Sequence, residues 1–179
     1  MIWKIGNIKD ELARMMCELR MRFGENPYPM LHWINPKRRF LKIIREKLRE
    51  AYGISHLNNL SHTSWYQPPD YDNYTIGQWH KDAGTMERGL CCFAAHPTPT
   101  KFAIRLQDGT WEVKEPESGD LLIADLANIV HKASENSYNK ERLLFRVVLH
   151  RDFGPPINHL PVKWKIERLL SLKVLNERD

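Results

Sequence analysis

The segment TIGQWHKDAG carries a histidine and an aspartate two residues apart, His80 and Asp82. On an extended chain, positions i and i+2 project to one face, so both side chains can reach a single metal ion. With eight histidines in the chain, one such triplet is unsurprising on composition, and its meaning depends on residues further along the chain. Fifty-one positions on, in GDLLIADLANIVHKAS, His131 stands just beyond a short apolar run. Two imidazoles and one carboxylate make a three-ligand face that leaves metal positions open, an arrangement suited to iron(II) and oxygen chemistry. Zinc more often takes three histidines, or two with a glutamate, plus a water. Taken alone, His131 reads equally as a hydrogen-bonded histidine at a strand end.

Arg146 lies inside the apolar run LLFRVVL, where a charge is costly unless it is paired or bound to a ligand. A guanidinium fork suits a bidentate grip on a carboxylate, and its permanent charge suits the task better than a lysine. Arg142, four residues earlier, projects to the same side if the strand extends that far. Alternation along a half-exposed strand also permits an outward Arg146.

The order HxD, a gap near fifty residues, His and then RxxxR resembles the iron(II)/2-oxoglutarate-dependent oxygenase superfamily. The segments that carry the resemblance are GQWHKDAG, the Pro-x-x-Gly-Asp turn at Pro116 to Asp120 leading into LLIAD, HKAS, and RLLFRVVLH. The resemblance implies a double-stranded β-helix, or jelly roll, over roughly residues 74–152. It implies His80, Asp82 and His131 as ligands of Fe(II), with 2-oxoglutarate and O2 as co-substrates. Arg146 is then the expected anchor of the co-substrate's distal carboxylate. Arg142 resembles the earlier arginine of the pair in the taurine dioxygenase-like and phytanoyl-CoA hydroxylase-like branches, where either position contacts the co-substrate, so both remain candidates. Gln78 would share the face of His80 and can hydrogen-bond the co-substrate or simply a neighbouring strand. The implied activity is a dioxygenase that hydroxylates an unidentified small molecule or side chain. The arginine spacing is shorter than in the nucleic-acid demethylases of the superfamily, so an oxygenase acting on a nucleobase is the alternative and not the favoured reading. A silent cupin-like metal-binding module is a further alternative, against which a buried Arg146 argues.

The elements that must position these residues read as an α+β chain. Ile8, Leu12, Met15, Met16 and Leu19 recur at helical spacing up to about Phe23, predicting a first helix. Asn35 and Pro36 supply an N-cap and a first-turn proline for a second, with Phe40, Leu41, Ile43, Ile44 and Leu48 as its apolar stripe and Gly53 as its stop. Residues 1–53 are therefore expected to be helical, and from Ser55 to Asn73 the texture turns polar. The run KFAIRLQ-DG-TWEVKEP predicts a hairpin about Asp108-Gly109. Leu121–Ile123 and Leu143–Leu149 are expected strands. Helical period returns over residues 162–176 with Trp164, Ile166, Leu169, Leu170, Val174 and Leu175, predicting a C-terminal helix packed on the sheet.

The 179 residues, 42% hydrophobic and 27% charged, fit a single folded domain over 1–179 and exclude a disordered or fibrous chain. No apolar run is long enough for a membrane span, and MIWKIGNIKDELAR has acidic residues where a signal peptide would be apolar, so a soluble, cytoplasmic protein is expected. Cys17 and the adjacent Cys91 and Cys92 make neither a disulfide framework nor a zinc motif. Cys91 and Cys92 are expected on opposite faces of a strand, one buried and one outward. The net charge of +5 owes much to Lys37, Arg38, Arg39, Lys42, Arg45, Lys47 and Arg49. These read as the solvated face of the second helix, or as a nucleic-acid-facing one. Trp65, Tyr66, Tyr71, Tyr74 and Trp79 can pack or line a pocket, and His96 reads as a loop histidine.

Overall fold

Arg142–Leu149 is the strand on which the architecture turns. In the computed structural model, which describes residues 2–23, 32–33, 38–53, 60–69, 78–82, 90–99, 102–133, 140–149 and 156–158, it pairs antiparallel with a strand on either side. In chain order the elements are β1 (Ile2–Asn7), α1 (Lys9–Phe23), β2 (His32–Trp33), α2 (Arg38–Tyr52), β3 (Leu60–Gln67), β4 (Cys91–Pro97), β5 (Phe102–Arg105), β6 (Trp111–Lys114), β7 (Asp120–Ala124), β8 (His131–Ala133) and β9 (Arg142–Leu149). A six-stranded sheet has the order β1-β7-β4-β9-β3-β2, and a three-stranded sheet the order β6-β5-β8. All pairings are antiparallel.

Period-two alternation sorts β9 onto two faces. Leu143, Phe145, Val147 and Leu149 join Cys92 and Ala94 of β4 and Leu121 and Ile123 of β7 on the face covered by the helices. Ile8, just before α1, and Leu12, Met15 and Met16 of α1 reach this layer, as do Phe40, Ile44, Leu48 and Ala51 of α2. Phe40 meets Phe145 edge-on, with centroids 4.8 Å apart. Each large apolar side chain buried there contributes roughly 1.5–3 kcal/mol. The opposite face carries Cys91, Phe93, Leu122 and Ala124, which pack on Phe102 and Ile104 of the smaller sheet. The two sheets therefore face each other across a shared apolar layer.

Several expectations from sequence are met. The helices sit where the apolar stripes place them, the Asp108-Gly109 hairpin forms with Gly109 at φ +81°, and Gly53 ends α2 at φ +64° with its N–H donating to the Arg49 carbonyl at 2.7 Å. Gly119 occupies the turn before β7 at φ +79°, and a Cβ there would fall on the backbone of Lys9. Its carbonyl accepts from Ile8 N–H and its N–H donates to the Ala95 carbonyl, both at 2.8 Å. That turn thereby ties the start of α1 to the sheet.

The N-terminal third is less helical than its sequence suggests. Ile2–Asn7 is an edge strand on β7, with a register shift between Lys4 and Gly6. Asn7 then caps α1, its Oδ1 accepting from Lys9 N–H at 2.9 Å. The sheet also recruits β3 from the polar stretch after Ser55, so it draws on strands that precede residue 74. Six residues at an edge and a strand as polar as LSHTSWYQ give little periodic signal, and partners distant in sequence decide both. Cys91 and Cys92 do lie on opposite faces, but both are buried, because β4 is a central strand covered on each side. His96 is the penultimate residue of β4 instead of lying in a loop, and its Nδ1 meets Ser118 Oγ at 2.8 Å. The expected helix over 162–176 and the Asn35-Pro36 cap lie outside the described residues. Among the described residues no helix is long and apolar enough to cross a membrane.

Candidate metal centre

His80, Asp82 and His131 are brought together by backbone pairing. His80 and His131 form an antiparallel bridge in which each N–H donates to the other's carbonyl at 2.9 Å. This bridge adds the His80 segment alongside β8, while Asp82 N–H donates to the Leu126 carbonyl at 3.0 Å. The two imidazole rings lie 4.4 Å apart between centroids. One ligand atom from each of the three side chains falls within 4.8 Å of the others.

The ring orientations follow from two backbone carbonyls. His80 Nδ1 is 2.7 Å from the Gln78 carbonyl, and His131 Nδ1 is 2.9 Å from the Ile129 carbonyl. An Nδ1–H that donates to a carbonyl leaves the Nε2 lone pair free to ligate, which is the usual way a protein fixes a metal-binding tautomer. Both Nε2 atoms converge on Asp82 Oδ1, at 3.6 Å from His80 and 3.5 Å from His131. Burial by itself would raise the Asp82 carboxyl, but the His131 contact and the charge of Arg146 outweigh it and hold the group below its ordinary pKa. The carboxylate is thus ionised and ready to bind a cation. The donor set, its tautomers and its spacing are compatible with Fe(II).

β9 supplies the floor of the pocket. Arg142, Leu144 and Arg146 alternate onto its inner face, and with Trp65 of β3, Cys91 and Phe93 of β4, Phe102 of β5, Leu126 and the three candidate ligands they line a cavity of about 150 Å³. Arg146 Nη2 lies 3.0 Å from Asp82 Oδ2. Arg142, at the far end of the same face, is wholly buried. Its Nε donates to Gln67 Oε1 at 3.1 Å, and Gln67 in turn donates to the Lys140 carbonyl at 3.0 Å. Desolvation pushes the Arg142 guanidinium down to about 10.

Gln78 contributes through its main chain. Its side chain is exposed and is not among the residues lining the cavity, whereas its carbonyl orients His80. Gln67 has no motif around it and gives no signal in the sequence; its register opposite Arg142 on β3 is visible only once the strands pair. Of the expected aromatics, Trp65 lines the pocket. Tyr66 points to the helical face and donates to Glu141 Oε1 at 3.0 Å. Trp79 packs beside Trp111, with Arg105 and Lys132 over its ring at 5.3 and 5.0 Å. Tyr71 and Tyr74 lie outside the described residues.

Across known structures, the chain matches the crystal structure of a Pseudomonas putida prolyl-4-hydroxylase, with a TM-score of 0.54 over 86% of this chain and 92% of that one. Its fold is that of a prolyl-4-hydroxylase. The two sheets are the faces of a double-stranded β-helix, and this fold carries the His-Asp-His group that could hold a metal ion. Sequence identity in the match is 16%, so the likeness is one of fold. No protein-family model and no curated protein matches the chain.

Proposed function

We propose that this protein is an iron(II)- and 2-oxoglutarate-dependent dioxygenase that hydroxylates a C–H bond of a primary substrate. The observation that carries the proposal is the joint presence, in one cavity, of the His80/Asp82/His131 face and a buried arginine on the same strand face as the metal end. When bound, the iron supplies the oxidative chemistry: O2 is reduced, 2-oxoglutarate becomes succinate and CO2, and the second oxygen atom becomes the product hydroxyl.

The residues of the chain have separable tasks. His80, Asp82 and His131 hold the metal on one side and leave the other open. Arg142 anchors the distal carboxylate of 2-oxoglutarate. It stands four residues from Arg146, roughly 13 Å along the strand, and Arg146 is engaged at the metal end through Asp82. A two-ended dicarboxylate needs one cation away from the metal, and Arg142 is at that end. Its burial favours an incoming carboxylate, because charge-assisted hydrogen bonds are strongest where water is excluded. Trp65, Phe93, Phe102, Leu126 and Leu144 keep the site apolar and exclude water around the reacting groups. By the ~10–15 Å³ that one water occupies on this measure, the cavity admits a molecule of about ten non-hydrogen atoms, the size of 2-oxoglutarate.

The basic residues of α2 do not support delivery of a nucleobase. Arg38, Arg39, Lys42, Arg45 and Arg49 sit on a helix that packs against the face of the sheet opposite the cavity. A silent metal-binding barrel would have no use for Arg142 at the cavity's far end. Anaerobic titration with Fe(II) and 2-oxoglutarate tests the proposal: a charge-transfer absorption should appear with wild type and be lost with Arg142→Ala. Metal binding without any such complex would refute the oxygenase reading.

A further inference from the structure

The Asp82 carboxylate is divided between two tasks. Oδ1 faces both imidazole Nε2 atoms, and Oδ2 receives Arg146 at 3.0 Å. Arg146 is well placed to hold this arrangement. It lies mid-strand in β9, opposite Phe93 on one side and Thr63 on the other, with its side chain one-fifth exposed.

Resting on the metal-site reading above, we infer that Arg146 is a positioning residue that keeps Asp82 a one-oxygen ligand and holds metal affinity low until an anionic co-substrate arrives. Two physical effects produce this. A guanidinium on Oδ2 denies the ion a two-oxygen grip, which would otherwise consume one of the positions that the oxo acid and O2 need. It also cancels the single negative charge of the triad, so a divalent ion meets a neutral site with a fixed cation roughly 6 Å away. A dianionic oxo acid reverses that balance by bringing negative charge to the metal. Metal and co-substrate then bind with positive coupling, and the coupling is reciprocal by thermodynamic necessity. The sequence makes Arg146 the expected carboxylate anchor with Arg142 as a second candidate; on the reading proposed above Arg142 takes that role, and Arg146 serves the metal's own ligand.

The test is divalent-ion binding measured by calorimetry with Mn(II) or Co(II), with and without 2-oxoglutarate, on wild type, Arg146→Gln, Arg146→Met and Arg146→Lys. Thermal unfolding checks that each variant folds. The Gln and Met variants should bind the ion about tenfold more tightly than wild type when the oxo acid is absent, the repulsion expected even at the dielectric of water. Their gain in metal affinity on adding 2-oxoglutarate should shrink by the same factor. Arg146→Lys keeps the charge and should behave as wild type. Metal affinity unchanged or weakened in both neutral variants would overturn the inference, and a selective loss of 2-oxoglutarate affinity would return the anchor to Arg146. If wild type binds the ion but not the oxo acid, the oxygenase reading fails while the metal arm still decides this one. If wild type binds no divalent ion, both fall.

Discussion

Replacing Arg142 by methionine separates what the residue does for stability from what it does for binding. The side chain is fully buried, and desolvation pushes its guanidinium pKa from the ordinary arginine value down to about 10. That difference corresponds to about 3 kcal/mol of lost stabilisation of the charged form. Both values lie above neutrality, so the cost is constant at physiological pH. It declines only above about pH 10, where the folded protein releases its proton before the unfolded chain does. Methionine removes the cost and keeps an apolar stem of similar length. Against this, Gln67 Oε1 loses a donor, a penalty of about 1–3 kcal/mol. The ligand-free variant should therefore unfold at equal or slightly higher free energy than wild type, measured by urea denaturation with tryptophan fluorescence. Affinity for 2-oxoglutarate should fall by about 3 kcal/mol or more, at least a hundredfold, because two charge-assisted hydrogen bonds are lost. A variant destabilised by more than about 2 kcal/mol that still binds 2-oxoglutarate as wild type does would refute the reasoning. Arg142 would then be part of the framework and not the anchor.

Gly119→Ala should cost at least about 2 kcal/mol in urea unfolding, from the left-handed backbone and the collision with Lys9; a loss under about 1 kcal/mol would mean that the turn relaxes freely. Of the three cysteines, only Cys17 is exposed, and burial pushes the Cys92 thiol well up. A thiol-reactive dye should label one site quickly and the other two only on unfolding, and two fast sites in the native protein would contradict the burial of β4. Reversing Arg45 and Arg49 to glutamate on the solvent side of α2 should leave 2-oxoglutarate affinity within about twofold; a larger change would mean that the two faces of the sheet communicate.

Much of the candidate site was legible because its chemistry is local. The i, i+2 spacing of His80 and Asp82 survives in the structure as a shared face. Arg142 and Arg146 share the inner face of β9, as period-two alternation requires. The helices α1 and α2 and the Asp108-Gly109 hairpin were equally legible, since each depends on a period or a turn preference within a few residues. Less local features were not. β1 is held at a sheet edge by β7, more than a hundred residues away, and β3 owes its strand state to β9 and β2 rather than to its own polar residues.

The sequence by itself determined which groups can act: two imidazoles, one carboxylate and two guanidiniums, with their spacing along the chain. Only the tertiary structure decided where they lie relative to one another. Whether Arg142 or Arg146 lies nearer the metal depends on the crossing of β9 with the His80–Asp82 segment, a contact between residues about sixty positions apart that no local propensity encodes. Gln67 at Arg142, the Gln78 and Ile129 carbonyls behind the histidines, and the placement of α2 away from the cavity have the same origin. Side-chain chemistry is written one residue at a time, whereas distance and burial are set by the packing of the whole sheet.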